Sequence, residues 1–116
     1  MTVFLYGIPN CDTVKKARTW LAEHDVAYAF HDYKKAGVPE AALRGWVDRL
    51  GWEVLLNRAG TTFRKLPESD RTGLDADTAI ALMLAHPSVI KRPVLESGPV
   101  LLAGFKPDTY LSAFNR

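Results

Sequence analysis

The chain has 116 residues, 47% hydrophobic and 24% charged, with a formal net charge of +2 at pH 7. That length suits one domain, and that balance supplies a core and excludes wholesale disorder. No apolar run approaches the roughly 20 residues that cross a bilayer, the first residues lack the lead-in and cleavage site of a secretory signal, and so small a charge argues against a general nucleic-acid binder. The expectation is a cytoplasmic protein with neither membrane nor nucleic acid as partner.

Thr2 to Tyr6 is predicted as a short buried strand, β-branched and aromatic, closed by Gly7 and Pro9. Asp12 or Thr13 can cap the helix that follows, since either side chain accepts from an unpaired backbone N–H. In that helix Val14, Ala17 and Leu21 share a face, with Lys15, Lys16 and Arg18 largely off it. Ala27 to Asp32 is predicted as a second strand, with Tyr28 and Phe30 on one side.

Pro39 suits a first helical turn, and Leu43, Trp46, Val47 and Leu50 repeat at helical spacing until Gly51 ends the run. Trp52 to Leu56 is a short helical piece, and Asn57 to Asp75 a polar, basic loop with a short helix. Asp75 to Ala85 is a helix with Ala76, Ile80, Met83 and Leu84 on its core side, closed by His86-Pro87. Pro93 to Glu96 and Val100 to Ala103 form a hairpin about the Ser97-Gly98-Pro99 turn. Pro107 opens a last helix with Tyr110, Leu111 and Phe114 inward.

The order β-α-β, helical block, β-hairpin, helix predicts an α/β architecture: a thioredoxin-like fold with a mixed four-stranded sheet. Residues 1–116 form a single domain, with the helical insertion at about 38–86.

Cys11 is the single cysteine. No internal disulfide is possible, so the fold needs no oxidising compartment. The expected position is the start of the first helix, where free N–H groups and the helix dipole stabilise a thiolate, the nucleophilic form of the thiol. Lys15 and Lys16 add positive charge there, and Asp12 opposes it. A lone cysteine is most often a small buried apolar residue. Here it follows a Gly-x-Pro loop and lies between Asn10 and Asp12, which favours a reactive thiol. A Cys-x-x-Cys pair would need a second cysteine where Val14 stands, so any disulfide formed in turnover joins Cys11 to another molecule. Glutathione, or the thiol of a partner protein, is the natural candidate.

Arg58, Arg64, Lys65, Lys91, Arg92 and Lys106 are the further basic residues to weigh. Arg64, Lys65 and Lys91 read as solvated surface charge. In a thioredoxin-like arrangement Arg92 and Pro93 come near Cys11, and an arginine fork there holds a carboxylate or oxyanion by two parallel bonds. Pro93, at the start of an interior strand, is cis or an ordinary trans proline; the residues leave both open. His24, His31 and His86 are scattered without metal-ligand spacing, so no metal is expected. Neither a nucleophile elbow nor a phosphate loop is present.

GIPNCDTVKKARTWL (7–21), FHDYKKAGV (30–38), LGWEVLLNRAGTTFRKL (50–66), IKRPVL (90–95) and LLAGFKP (101–107) together resemble the arsenate reductase/Spx superfamily, and within it the YffB-type glutathione-dependent thiol reductases. The resemblance runs over nearly the whole chain; NCDTVKKA and IKRP are its specific parts. It implies a thioredoxin-like fold with an inserted helical subdomain, a reactive cysteine at Cys11 and a cis proline at Pro93. Arsenate reductases of this kind use glutathione and glutaredoxin and hold the oxyanion with arginines. Arg92 matches one of these. Another falls at Asn57, with Arg58 one place on, and a third at Lys106. Asp12 and Thr13 replace the glycine and serine that follow the cysteine of the arsenate reductases, and a carboxylate there suits an arsenate anion poorly.

The resemblance therefore implies a monothiol oxidoreductase, a glutathione-dependent thiol/disulfide reductase. Cys11 is its nucleophile, and Asn10, Arg58, Arg92, Pro93 and Lys106 are the substrate- or glutathione-binding residues. Glutathione is a co-substrate, with no bound cofactor, and glutaredoxin or an oxidised protein thiol is a further partner. Two alternatives stay open: an arsenate reductase using glutathione and glutaredoxin, and an Spx-like protein-binding regulator without turnover, although Spx regulators usually carry the Cys-x-x-Cys pair missing here.

Overall fold

The computed structural model of the chain describes residues 2–114. It divides into two compact units, one running to Ala36 and resuming at Arg92, the other spanning Gly37–Lys91.

The first unit holds the sheet. β1 (Phe4–Gly7) leads through α1 (Asp12–Glu23) to β2 (Ala29–Asp32), which pairs with it in parallel. A parallel pair needs such a crossover, because a tight hairpin can only reverse the chain. α2 (Tyr33–Ala36) follows β2 directly. β3 (Val94–Ser97) pairs antiparallel with β1, and β4 (Val100–Ala103) antiparallel with β3. The strand order is β2-β1-β3-β4, the mixed four-stranded sheet of a thioredoxin-like fold. Gly98 and Pro99 form the two-residue hairpin loop, with positive φ (55°) at Gly98, the pattern of a type II′ turn. α8 (Pro107–Phe114) completes the unit.

The strands alternate, so each presents one set of side chains to each face. One face carries Leu5 and Leu95, packed with Ala17, Trp20 and Leu21 of α1 and Tyr110 of α8. Trp20 and Phe105 meet the Tyr110 ring edge-on, at 5.4 and 4.7 Å between centroids. Arg18 joins α1 to the edge strand: its guanidinium lies 4.3 Å from the Phe30 ring centroid, and its Nε donates to the Tyr28 hydroxyl at 2.9 Å. The other face carries Tyr6, His31, Val94 and Glu96, as the pairing register requires.

The second unit is helical: α3 (Glu40–Leu50), α4 (Trp52–Leu55), α5 (Thr61–Arg64), α6 (Glu68–Arg71), α7 (Ala76–Ala85) and a 3-10 turn at Pro87–Val89. Leu43, Trp46, Leu55, Phe63, Ile80 and Met83 are among its buried side chains. Gly51 ends α3 at φ 90°, a conformation that costs a residue with a Cβ. Asp75 caps α7 with its side chain on the Thr78 N–H, while the Thr78 hydroxyl accepts from the Asp75 N–H.

Several sequence expectations shift. β1 starts at Phe4 rather than Thr2, and β2 at Ala29 rather than Ala27. Pro39 stands at the N-cap, one place before the helix. Ala76 is exposed in the first turn of α7, and Leu111, expected to pack inward, is 40% exposed because Tyr110 takes the buried direction on α8. The polar stretch after Asn57 holds two short helices where one was expected. Among the described residues no helix is long and apolar enough to cross a membrane.

Candidate active site

The end of β1 and the start of β3 lie side by side at one end of the sheet. β1 ends at Gly7, and the loop Ile8-Pro9-Asn10 delivers Cys11 to the N-cap of α1. The approach is close: a Cβ on Gly7 would stand 3.0 Å from Val14 Cγ2 and 3.9 Å from Pro93 Cα. Only a glycine lets β1, the first turn of α1 and the chain entering β3 crowd together there. The Arg92–Pro93 peptide is cis, and the Pro93 carbonyl accepts from the Gly104 N–H at 2.8 Å.

The cap itself corrects a sequence expectation. Neither Asp12 nor Thr13 caps α1; they are its first two residues, and Cys11 occupies the N-cap in extended conformation. No side chain makes a cap hydrogen bond to the first turn. The N–H groups of Val14 and Thr13, at the start of the helix, favour the anionic form of the sulfur.

Cys11 is partly buried. Burial is the largest single influence on its thiol and pushes the pKa up, because it disfavours the anion. The Val14 N–H, the hydrogen bond and charge of the Arg92 guanidinium, and the Thr13 N–H outweigh it together, so the thiol lies below its ordinary value. The cation is therefore Arg92. Lys15 and Lys16, exposed on the outer side of α1, do not figure among the groups that move this thiol, and neither does Asp12.

The structure thus brings together three of the residues singled out from sequence: Cys11, Arg92 and Pro93. Asn10 is exposed, and its side chain makes no hydrogen bond among the described residues. Lys106 is exposed ahead of α8, where its carbonyl accepts from the Tyr110 N–H; it stands two positions after Gly104, which is bonded to Pro93. Arg58 belongs to the second unit and lies over the Trp52 ring, 5.6 Å from its centroid. Asn57 folds against Gly60, whose Cβ would meet its Nδ2 at 2.9 Å.

Sequence reasoning passed over Tyr33. It is 2% exposed, and its hydroxyl, buried without a hydrogen-bond partner, feels the charge of Arg92. Its only sequence signal was its place just beyond the second strand.

A family model described as the ArsC family matches residues 6–113. A solved structure of a protein named YffB is 62% identical, covers 97% of this chain and 98% of its own, and superposes with a TM-score of 0.93. An arsenate reductase (ArsC) related protein from Brucella melitensis is 55% identical over 100% of this chain and 97% of its own, with a TM-score of 0.78. A protein of Haemophilus influenzae is 40% identical over 97% of this chain and 98% of its own length. A Streptococcus mutans protein named global transcriptional regulator Spx is 28% identical over 91% of this chain and 78% of its own.

Proposed function

Since the chain belongs to the ArsC family, we propose that it is a monothiol oxidoreductase, a thiol/disulfide reductase with Cys11 as nucleophile and glutathione as co-substrate. The observation that carries this reading is a lone thiol at the N-cap of α1 whose pKa is lowered by the Val14 and Thr13 N–H groups and the Arg92 guanidinium despite its burial. Such an arrangement has little structural purpose, since it favours an anion that the packing does not need.

In the first step the Cys11 thiolate attacks a sulfur of a glutathione mixed disulfide. A Cys11–glutathione disulfide forms, the substrate S–S bond breaks, and the substrate sulfur leaves as a thiolate that takes a proton from water. In the second step a glutathione thiolate attacks the glutathione sulfur of that intermediate. Oxidised glutathione leaves, and the Cys11 thiolate is restored. The two steps balance: one disulfide is reduced and two glutathione sulfurs are joined. Within one chain no second cysteine competes for the intermediate. The Arg92 charge and the helix N–H groups stabilise Cys11 both as attacking and as leaving thiolate. Lys106, two residues beyond the Gly104–Pro93 bond, is the candidate for a glutathione carboxylate.

The test is turnover of a glutathionylated peptide with glutathione, followed through glutathione reductase. The wild type turns over and Cys11→Ser does not. An activated Cys11 that reduces no disulfide, with or without glutaredoxin, contradicts the reading. Arsenate replaces the disulfide in a parallel arm, where turnover would favour arsenate reduction. Similarity to a protein named Spx supports a second reading, a module that binds a protein partner without turnover. That reading predicts partner capture unaffected by Cys11→Ser.

A further inference from the structure

A glutathione mixed disulfide has two arms, one on each sulfur. In the reaction proposed above the glutathione arm is taken by Arg92, at the thiol, and by Lys106, both on the β3–β4 side of Cys11. The β2 side is left open to the other arm, the protein whose cysteine carries the glutathione. What that side offers is charge. Lys15 and Lys16 of α1 and Lys34 and Lys35 of α2 are all exposed. Among the described residues none of these four takes part in an ion pair.

The fold gathers these lysines at the thiol's end of the sheet, all within the first unit. β1 and β2 run parallel and end together at Gly7↔Asp32. β1 leads on to Cys11 and β2 passes directly into α2, so both exits lie at the same end. α1 returns along β2, and the Arg18 guanidinium, 4.3 Å from the Phe30 ring centroid, fixes its alignment there. Lys15 stands three residues nearer the start of α1, about 4.5 Å along its axis. Asp32 stands two residues further along β2, about 7 Å the same way, with Lys34 and Lys35 beyond it. The lysines of α1 and α2 therefore share one rim beside Cys11. Asp12 and Asp32 oppose their charge, and the Asp32 Oδ1 is already engaged by the Lys34 N–H at 2.8 Å. With Arg92, Lys106 and Asp108 included, this end holds six basic residues against three acidic ones. The opposite end differs: the last turn of α1 has no basic residue, and Glu23, Asp25 and Glu96 stand there. Like charges gathered at one end repel one another, and their field attracts an anionic partner to the thiol they surround.

We propose that Lys15, Lys16, Lys34 and Lys35 form a docking surface for an acidic protein segment, so that the substrates of Cys11 are glutathionylated cysteines flanked by aspartate or glutamate. The choice of substrate rests on the thiol-reductase reading; the docking itself rests on the placement of charge. These lysines touch no reacting atom, and the reaction is the one written above. They draw an acidic chain to the rim and hold it with its mixed disulfide near the sulfur.

The test uses glutathionylated peptides of equal length, flanked by aspartates, by serines or by lysines. Rates are compared at about 10 mM and about 1 M salt, where charges are felt over roughly 30 Å and 3 Å. In dilute salt the wild type should reduce the aspartate peptide roughly tenfold faster than the serine peptide, and the lysine peptide more slowly than either. Concentrated salt should remove these differences. Replacing the four lysines together by glutamine, at exposed positions that leave folding intact, should erase most of the preference. The same variant should react with the uncharged disulfide dithiodipyridine at the wild-type rate. Binding of the aspartate peptide to Cys11→Ser, followed by fluorescence anisotropy, reads the docking without the chemistry. Binding that the glutamine substitutions abolish, in a protein that turns over no peptide, supports the docking surface and counts against the reductase reading alone. Equal rates and equal binding for the three peptides overturn the proposal, as does a preference that survives the glutamine substitutions. Equal slowing toward dithiodipyridine overturns it too, because the lysines would then act on the thiol itself. A short single-stranded oligonucleotide that binds more tightly than the aspartate peptide also overturns it and assigns the surface to nucleic acid.

Discussion

Gly7→Ala tests how tightly the site is built. The new Cβ would stand 3.0 Å from Val14 Cγ2, 3.7 Å from Cγ1 and 3.9 Å from Pro93 Cα. Carbon atoms pack at about 3.5–4.0 Å, so the Val14 methyl must retreat by roughly half an ångström. It has little freedom to do so. Val14 is wholly buried, and a valine in a helix is confined to one χ1 rotamer in about 90% of cases. The expected cost is that of overpacking, about 1–3 kcal/mol. Val14→Ala alone removes two buried carbons and costs about 2 kcal/mol, before any cavity term. The double variant removes the clash and refills part of the space, so its cost should fall short of the sum by about 1 kcal/mol or more. Urea unfolding of the four proteins with a common m-value measures this. Because the Val14 N–H favours the thiolate, Gly7→Ala should also move the Cys11 titration upward. A stable, neutral Gly7→Ala protein, or strictly additive costs, would refute the claim of close approach.

Arg92→Met removes the charge and hydrogen bond at the sulfur; alkylation of Cys11 at pH 7 should slow by roughly three- to tenfold, a charge-assisted bond discounted for solvent screening. Asp75→Ala removes the capping box of α7 and should lower the melting temperature at neutral pH. The Thr78 N–H and hydroxyl hold the Asp75 carboxyl below the usual range, so its contribution is present above the unfolded-state value and lost as pH falls through the folded one. The deficit of Asp75→Ala should therefore shrink in acid, as thermal melts against pH would show. Leu111→Ser should change stability by no more than about 0.5 kcal/mol, since that side chain is 40% exposed; a larger loss by denaturation would contradict its placement on α8.

What was legible in the sequence was local. Val14, Ala17 and Leu21 announce the buried face of α1 by spacing alone, and Gly51 marks the end of α3 because its conformation needs no Cβ. Cys11 stood out as the lone thiol between a strand and a basic helix, but its cap position was misassigned to Asp12 or Thr13. Propensity ranks those residues above cysteine, while the close packing of Gly7 on Val14 fixes where the helix begins. Lysines near in sequence were credited with the charge that Arg92 supplies from just before β3, eighty-one positions later in the chain. Leu111 was misplaced for a simpler reason: an apolar residue near a helix end can point either way, and the neighbouring Tyr110 took the buried direction. Ala76 shares a face with the buried Ala79 and Ile80 but stands in the exposed first turn.

The central claim is that Cys11 is an activated thiolate, held by the start of α1 and by Arg92. Its rate of alkylation by iodoacetamide against pH measures this directly. The wild-type midpoint should lie below the free-thiol value of about 8.5, and that of Arg92→Met should lie above the wild-type one. A wild-type midpoint at or above the free-thiol value, unmoved by loss of Arg92, would contradict the account.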